Sequence, residues 1–249
     1  MTENETITKP EALPPGLYLV GTPIGNLGDI TLRALETLRA VEVILAEDTR
    51  ISSRLLARYE IRKPLISHHK FNEARRADEV IRRIREGERV ALVTDSGMPG
   101  VSDPGSRLVR ACREAGVAVT AIPGPSALAT AISLCGLDAE GYLFGGFLPH
   151  KSGARRRMLV RLAQPNIAIV LYESPYRLEK LLEEIREELG ERTVFVGREL
   201  TKKFEECRTG TPEEIQAVYR GRTVRGELTV VIAPATSPTV PVDQKDITG

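Results

Sequence analysis

The chain has no tryptophan, and only six tyrosines and five phenylalanines among its 249 residues. It therefore lacks the material for a broad aromatic surface on which successive bases stack. Cysteine is as scarce: Cys112, Cys135 and Cys207 are an odd number, lie far apart and form no CxxC. That spacing argues against a disulfide framework or a zinc site and predicts buried free thiols. Of three histidines, His68 and His69 are neighbours whose side chains point in different directions, so they do not form a chelating pair on one helix face. Charge of one sign is missing too. The 35 basic and 34 acidic residues leave a net charge of +1, which announces no chain-wide attraction to nucleic acid. No apolar run approaches the ~20 residues needed to cross a bilayer. The first fifteen residues, polar and broken by prolines, are unlike a signal peptide. These absences set the expectation of a cytoplasmic protein that needs no metal and no membrane.

What is present is ordinary globular material, 41% hydrophobic and 28% charged, enough for a core without covalent staples. Short apolar runs at Leu17–Val20, Val43–Ala46, Val90–Val93 and Val117–Ile122 read as buried strands. Between them Ala77, Val80, Ile81 and Ile84 fall on one helix face, as do Leu108, Val109, Cys112 and Ala115. Such alternation predicts a mainly parallel sheet covered on both faces. After the break at Pro123-Gly124-Pro125, strands are expected at Leu143–Phe147, Ile167–Tyr172, Thr193–Val196 and Leu228–Ala233. A helix is expected on the stripe Leu178, Leu181, Leu182, Ile185 and Leu189. The fold class is thus α/β, with two α/β domains over 16–122 and 123–235. Polar segments 1–15 and 236–249 flank them and are expected to be disordered.

Two segments following predicted strands are rich in glycine. GTPIGNLGDIT (21–31) offers open backbone amides, with Asp29 or Thr31 to cap the next helix. It is neither GxGxxG nor GxxxxGK[ST], so the common dinucleotide and phosphate loops do not apply. TDSGMPGVSDPG (94–105) holds three glycines, two prolines and the acids Asp95 and Asp103, too specialised for a simple connection. Ligands of open α/β sheets bind outside the carboxyl ends of the strands, where both loops lie. Neither contains lysine, so a zwitterionic or ribose-bearing ligand suits them better than a polyphosphate. A third strand end, ILAEDTR, brings Glu47 and Asp48 beside Arg50; paired acids for chemistry and a plain ion pair are equally good readings. Charge is also uneven. From His150 to Arg161 there are five Lys or Arg residues and no acid, whereas 173–192 holds seven glutamates against four basic residues. The basic run is either a solvated helix face or a grip on phosphates.

GTPIGNLGDIT, AEDTR, TDSGMPGVSDPG, IPGPSA, FGGFLP, LYESPYR, GRELTKKFEE and RGEL, in that order, resemble the signature of the tetrapyrrole methylase superfamily. The likeness runs from about Leu17 to Ala233 and is greatest to the ribosomal small subunit methyltransferase I branch. It implies S-adenosyl-L-methionine as cofactor, bound in the cleft between two α/β domains. It implies methylation of the ribose 2′-hydroxyl of a decoding-centre cytidine in 16S rRNA, within the assembled small subunit, by a homodimer. Carried over by position, it assigns Pro23, Asp95, Met98, Ser126, Ala127, Tyr172, Glu227 and Leu228 to the cofactor. Phe71 and Tyr176 stand where the family often has histidine, so neither histidine is essential here if the likeness holds. Deprotonating a ribose hydroxyl calls for a base, for which Asp48, Glu73, Glu173 and Glu199 are candidates, with Lys202 and Arg198 to hold the adjacent phosphate. For the RNA backbone the candidates are Arg50, Lys151, Arg155, Arg156 and Arg157, supported by Arg54, Arg75, Arg76 and Arg161. A methylase of a tetrapyrrole or of a protein side chain, and a non-catalytic cofactor-binding relative, are the alternatives.

Overall fold

The computed structural model describes residues 13–69, 73–222 and 224–235. The segments 1–12 and 236–249, expected to be disordered, and Lys70, Phe71 and Asn72 lie outside them. The chain divides into two compact units between Ser126 and Ala127. Among the described residues no helix is long and apolar enough to cross a membrane.

In the first unit β1 (Gly16–Val20), β2 (Val43–Ala46), β3 (Leu65–Ser67), β4 (Arg89–Val93) and β5 (Val119–Ile122) form a sheet. Its order is β3-β2-β4-β1-β5 and each pair is parallel. Side chains alternate along each strand, so one sequence supplies two cores. Tyr18, Val20, Ile44, Ala46, Ala91 and Val93 face α1 (Leu32–Ala40) and α2 (Thr49–Arg58). Leu17, Val43, Leu45, Val90 and Leu92 meet α3 (Glu73–Arg85) and α4 (Ser106–Glu114) on the other face. This is the two-sided parallel sheet that the continuous Val/Ile/Leu runs predict. Strand β3, only Leu65-Ile66-Ser67, is too short to show a pattern in the sequence.

The second unit holds α5 (Ala127–Cys135), β6 (Gly141–Phe147), α6 (Ser152–Leu162), β7 (Ile167–Glu173) and α7 (Pro175–Leu189). It continues through β8 (Val194–Arg198), β9 (Glu206–Gly210), α8 (Pro212–Tyr219) and β10 (Leu228–Ile232). Its sheet is mixed, in the order β6-β7-β10-β8-β9: β6 and β7 run parallel, and the other pairs are antiparallel. The edge strand β9, Glu206-Cys207-Arg208-Thr209-Gly210, escapes hydropathy because it is polar. Helix α7 begins with Pro175, whose missing N–H costs nothing at that position, and stops at Gly190 with φ of 78°. Helix α8 is opened by reciprocal bonds between Thr211 and Glu214. Leu178, Leu181, Leu182 and Ile185 of α7 enter the core with Leu159, Ile169, Leu171, Val196 and Val230.

Two contacts set these frames. In the first unit, Gly21 and Gly124 meet backbone to backbone where β1 and β5 end. A Cβ on Gly124 would lie 2.9 Å from the Gly21 Cα, and one on Gly21 would lie 2.7 Å from the Met98 sulfur. In the second, Arg155 on α6 and Glu184 on α7 form a buried ion pair: Nε to Oε2 is 2.5 Å and Nη2 to Oε1 is 2.7 Å. The Ser152 hydroxyl donates to the same carboxylate at 2.6 Å. Burial alone would raise the Glu184 carboxyl, but the bonds from Arg155 and Ser152 hold it below its ordinary value.

Gly124→Ala must push two backbones apart, so it should cost about 1–3 kcal/mol in urea unfolding, as overpacking does. Arg155→Ala removes the main partner of a buried carboxylate, leaving it the Ser152 hydroxyl and Arg156 at 3.8 Å, and should cost about 3–5 kcal/mol. Because the folded value of Glu184 is depressed, the wild-type pair contributes fully above the ordinary value of 4.5. That contribution is lost as pH falls through the lower folded value. Acid titration of wild type against Arg155→Met/Glu184→Met should show this component absent from the double variant.

Candidate functional site

Strand β1 connects toward β2 on one side, while β4 connects across to β5 on the other. The adjacent strands β1 and β4 are therefore the point where the sheet's winding reverses, the usual ligand crevice of an open α/β sheet. The two glycine-rich loops are those that leave β1 and β4. They are tied together: the Thr22 N–H donates to the Gly97 carbonyl at 2.9 Å, and the Gly97 N–H donates back to the Thr22 carbonyl at 3.1 Å. The Thr22 hydroxyl adds a bond to the Thr94 carbonyl at 3.1 Å. Gly97 has φ of 84°, which favours glycine at this turn. Pro23 is buried in this arrangement, Met98 lies beside Gly21, and Ser126 follows the glycine contact.

Acids gather at the same strand ends. One Asp95 carboxyl oxygen accepts the Asp48 backbone N–H at 3.0 Å, linking the end of β4 to the end of β2. Burial first, and then the Asp48 charge, push the Asp95 carboxyl up. Burial, and then Asp95, also raise Glu47, an acid for which the sequence offers equally good roles in an ion pair. Asp48 goes the other way. It caps α2 by accepting the Arg50 N–H at 2.8 Å and pairs with the Arg50 guanidinium at 2.5 Å, so its pKa falls to about 2. Asp48, a candidate base on sequence, here caps α2 and serves as the counter-ion of Arg50. Arg50 remains highly exposed, its charge offset by that carboxylate.

In the second unit the candidates meet at one margin of the sheet. Register places Leu228 opposite Glu173 and Arg198, Arg198 opposite Glu206, and Phe147 opposite Tyr172. Spacing along the chain gives no sign of this convergence. Glu173 is buried, accepts the Ser174 N–H at 2.7 Å and pairs with Arg177 at 3.1 Å; burial raises it. Lys202 bridges Glu199 and Glu227 at 2.8 Å each, while the Glu227 N–H donates to the Glu199 carboxylate at 3.0 Å. Glu199 stands at φ of 51°, and a Cβ on Gly226 would fall 2.3 Å from its carboxyl carbon. GRELTKK and RGEL are thus two halves of one lock. Glu199 and Lys202, candidates for base and phosphate holder, spend their charges on each other.

The basic run divides. Arg155, a candidate for RNA, is 3% exposed, and besides Glu184 its Nη1 donates to the carbonyls of Pro149 and His150. It holds the protein together and is not available to a phosphate. Arg156 pairs with Glu187 at 2.5 Å and Glu188 at 2.8 Å. Lys151, Arg157 and Arg161 are exposed. The signal for this division lies in the acidic run: Glu184, Glu187 and Glu188 fall at the spacing of one face of α7. Among the supporting candidates, Arg76 pairs with Glu79 at 2.6 Å, and Arg54 is exposed. The side chains of Glu73 and Arg75 lie outside the described residues. Among the described residues no group of three His, Cys, Asp or Glu side chains could hold a metal ion.

The family model "Tetrapyrrole (Corrin/Porphyrin) Methylases" matches residues 16–216. The chain is 46% identical over 217 residues to the Ribosomal RNA small subunit methyltransferase I of Thermotoga maritima, covering 87% of this chain and 97% of that one. It is 47% identical over 225 residues to the protein of the same name from Mesorhizobium japonicum, covering 90% of this chain and 76% of that one. Among solved structures, the methyltransferase CobJ superposes with a TM-score of 0.66 at 21% identity, over 88% of this chain and 94% of that one, a likeness of fold. With matches along nearly its whole folded length, the chain belongs to the tetrapyrrole methylase family, in its ribosomal RNA small subunit methyltransferase I group.

Proposed function

We propose that this protein methylates the ribose 2′-hydroxyl of a decoding-centre cytidine in 16S rRNA, using S-adenosyl-L-methionine, on the small ribosomal subunit in the cytoplasm and as a homodimer. The observation that carries the reading is identity of 46–47% over about nine-tenths of the chain with relatives named for small subunit rRNA methylation.

The residues present fit the cofactor. The close contact of Gly21 with Gly124 and the paired backbone bonds of Thr22 with Gly97 hold two glycine-rich, lysine-free loops together at the carboxyl ends of the strands, where open α/β sheets take their ligands. Pro23, Asp95, Met98 and Ser126 would hold the group there. Bound, it supplies a sulfonium methyl that is already electrophilic, so alignment carries much of the rate. Asp95 keeps the β2 and β4 ends together through the Asp48 N–H, and its second oxygen would accept from a ligand hydroxyl or ammonium. Glu47, raised by burial and by Asp95, and Glu173, raised by burial, are the acids proposed to receive the ribose proton; such a base contributes about 10²–10⁴-fold. Lys151, Arg157 and Arg161 supply phosphate contacts, which position the strand without reading its sequence.

Since burial raises Asp95, its ionised form is lost at a pH above the ordinary aspartate value of 3.8. Cofactor affinity measured by calorimetry should fall as pH is lowered toward that range, and Asp95→Asn should weaken binding while flattening the dependence. Lys151→Ala/Arg157→Ala/Arg161→Ala should weaken subunit binding and flatten its salt dependence by roughly one unit of slope for each phosphate no longer neutralised. Cofactor affinity should stay unchanged in that triple variant.

A further inference from the structure

Strand β6 carries Phe144 and Phe147, three residues apart, which regular alternation would send to opposite faces. The pairing of β6 with β7 shifts register between Phe144 and Gly146, leaving Gly145 as an extra residue. That bulge brings both rings against Tyr172, at 4.9 Å for Phe144 and 5.6 Å for Phe147. A Cβ on Gly145 would lie 2.8 Å from the terminal methyls of both Leu162 and Leu171, so a side chain in the bulge would have to displace them. Phe147 ends the strand with 61% of its surface exposed.

The segment after it is clamped. Arg177, held by Glu173, donates to the Leu148 carbonyl at 2.9 Å and the Pro149 carbonyl at 3.3 Å. Arg155 donates to the Pro149 and His150 carbonyls at 3.2 and 2.9 Å. The exposed ring thus follows a bulge and lies against the Tyr172 ring, and two guanidiniums hold the backbone that leaves it. From Leu148 to Arg161 there is no acid, and Lys151 and Arg157 are exposed.

We propose that Phe147 is a stacking platform for one unpaired nucleobase of the substrate RNA. This rests on the rRNA methylation proposed above and adds a substrate-positioning residue to it. An exposed aromatic face followed within ten residues by the exposed cations Lys151 and Arg157 matches a base with its attached phosphates, since stacking accepts any base and cations hold the backbone. An apolar protein partner would use the ring and leave the cations without counterparts.

The test uses the full chain, labelled S-adenosylmethionine and isolated small subunits. Phe147→Leu and Phe147→Ala should raise KM for the subunit by roughly 5- to 150-fold, with a smaller fall in kcat, as loss of one base stack does. Phe147→Trp should restore wild-type KM. As the chain has no other tryptophan, the emission of that variant should be quenched by an oligoribonucleotide and not by S-adenosylhomocysteine. Wild-type KM in both smaller variants overturns the stacking role alone. So does quenching by S-adenosylhomocysteine without quenching by RNA, or a fall in sedimenting mass for Phe147→Ala, which would assign the ring to cofactor or to a second copy. Wild-type protein that moves no label onto rRNA overturns the proposed function, and the stacking role with it.

Discussion

The arrangement of the first unit depends on two backbones touching where no side chain intervenes. With hydrogen alone on Gly21 and Gly124, the turn after β1 lies against the turn after β5. Thr22 is then placed to exchange backbone bonds with Gly97. Through that exchange the β4 loop is anchored, and through Asp95 so is the end of β2. Four strand ends become one surface without a disulfide or a described metal cluster. Glycine here supplies proximity, and in the Gly97 turn it supplies a backbone angle; these are different physical services from the same residue.

The second unit solves the corresponding problem with charge. Arg155 spends its donors on one carboxylate and two carbonyls, joining α6, α7 and the segment after β6. Lys202 does something similar on a smaller scale between Glu199 and Glu227. For the buried Arg155–Glu184 pair, desolvating the charges is offset by several short bonds made together, which is the condition under which buried ions are tolerated. The polar motifs that mark the family in this half are, to a large extent, its internal fastenings.

Much of the fold was legible in the sequence because parallel strands buried on both faces leave continuous runs such as Val90–Val93, and α7 leaves an unmistakable stripe. The edge strands β3 and β9 were not, one being too short and the other polar. The glycine loops were legible as places, since their composition has few other uses. Individual roles were harder to read, because a charge looks alike whether it faces water or a partner thirty residues away. Arg155 and Arg157 differ by two positions in one helix, yet one is sealed and the other open. Glu47 and Asp48 are adjacent, yet burial raises one while a neighbouring guanidinium lowers the other. Those differences arise from what lies across the helix or strand, which single-sequence periodicity does not record.

The directions of strand pairing also govern how the two halves can be assembled in time. Every described pair in the first sheet is parallel, so each awaits a crossover that includes a helix, and no two strands can zip from a tight turn. The second sheet contains β8 and β9, consecutive and antiparallel, whose ends Arg198 and Glu206 are eight positions apart. Closing so short a loop takes well under a microsecond, whereas distant pairings carry a larger entropic barrier and set slower rates. The second half thus has a local nucleus available as soon as that stretch of chain exists, and the first half must form its sheet and its covering helices together.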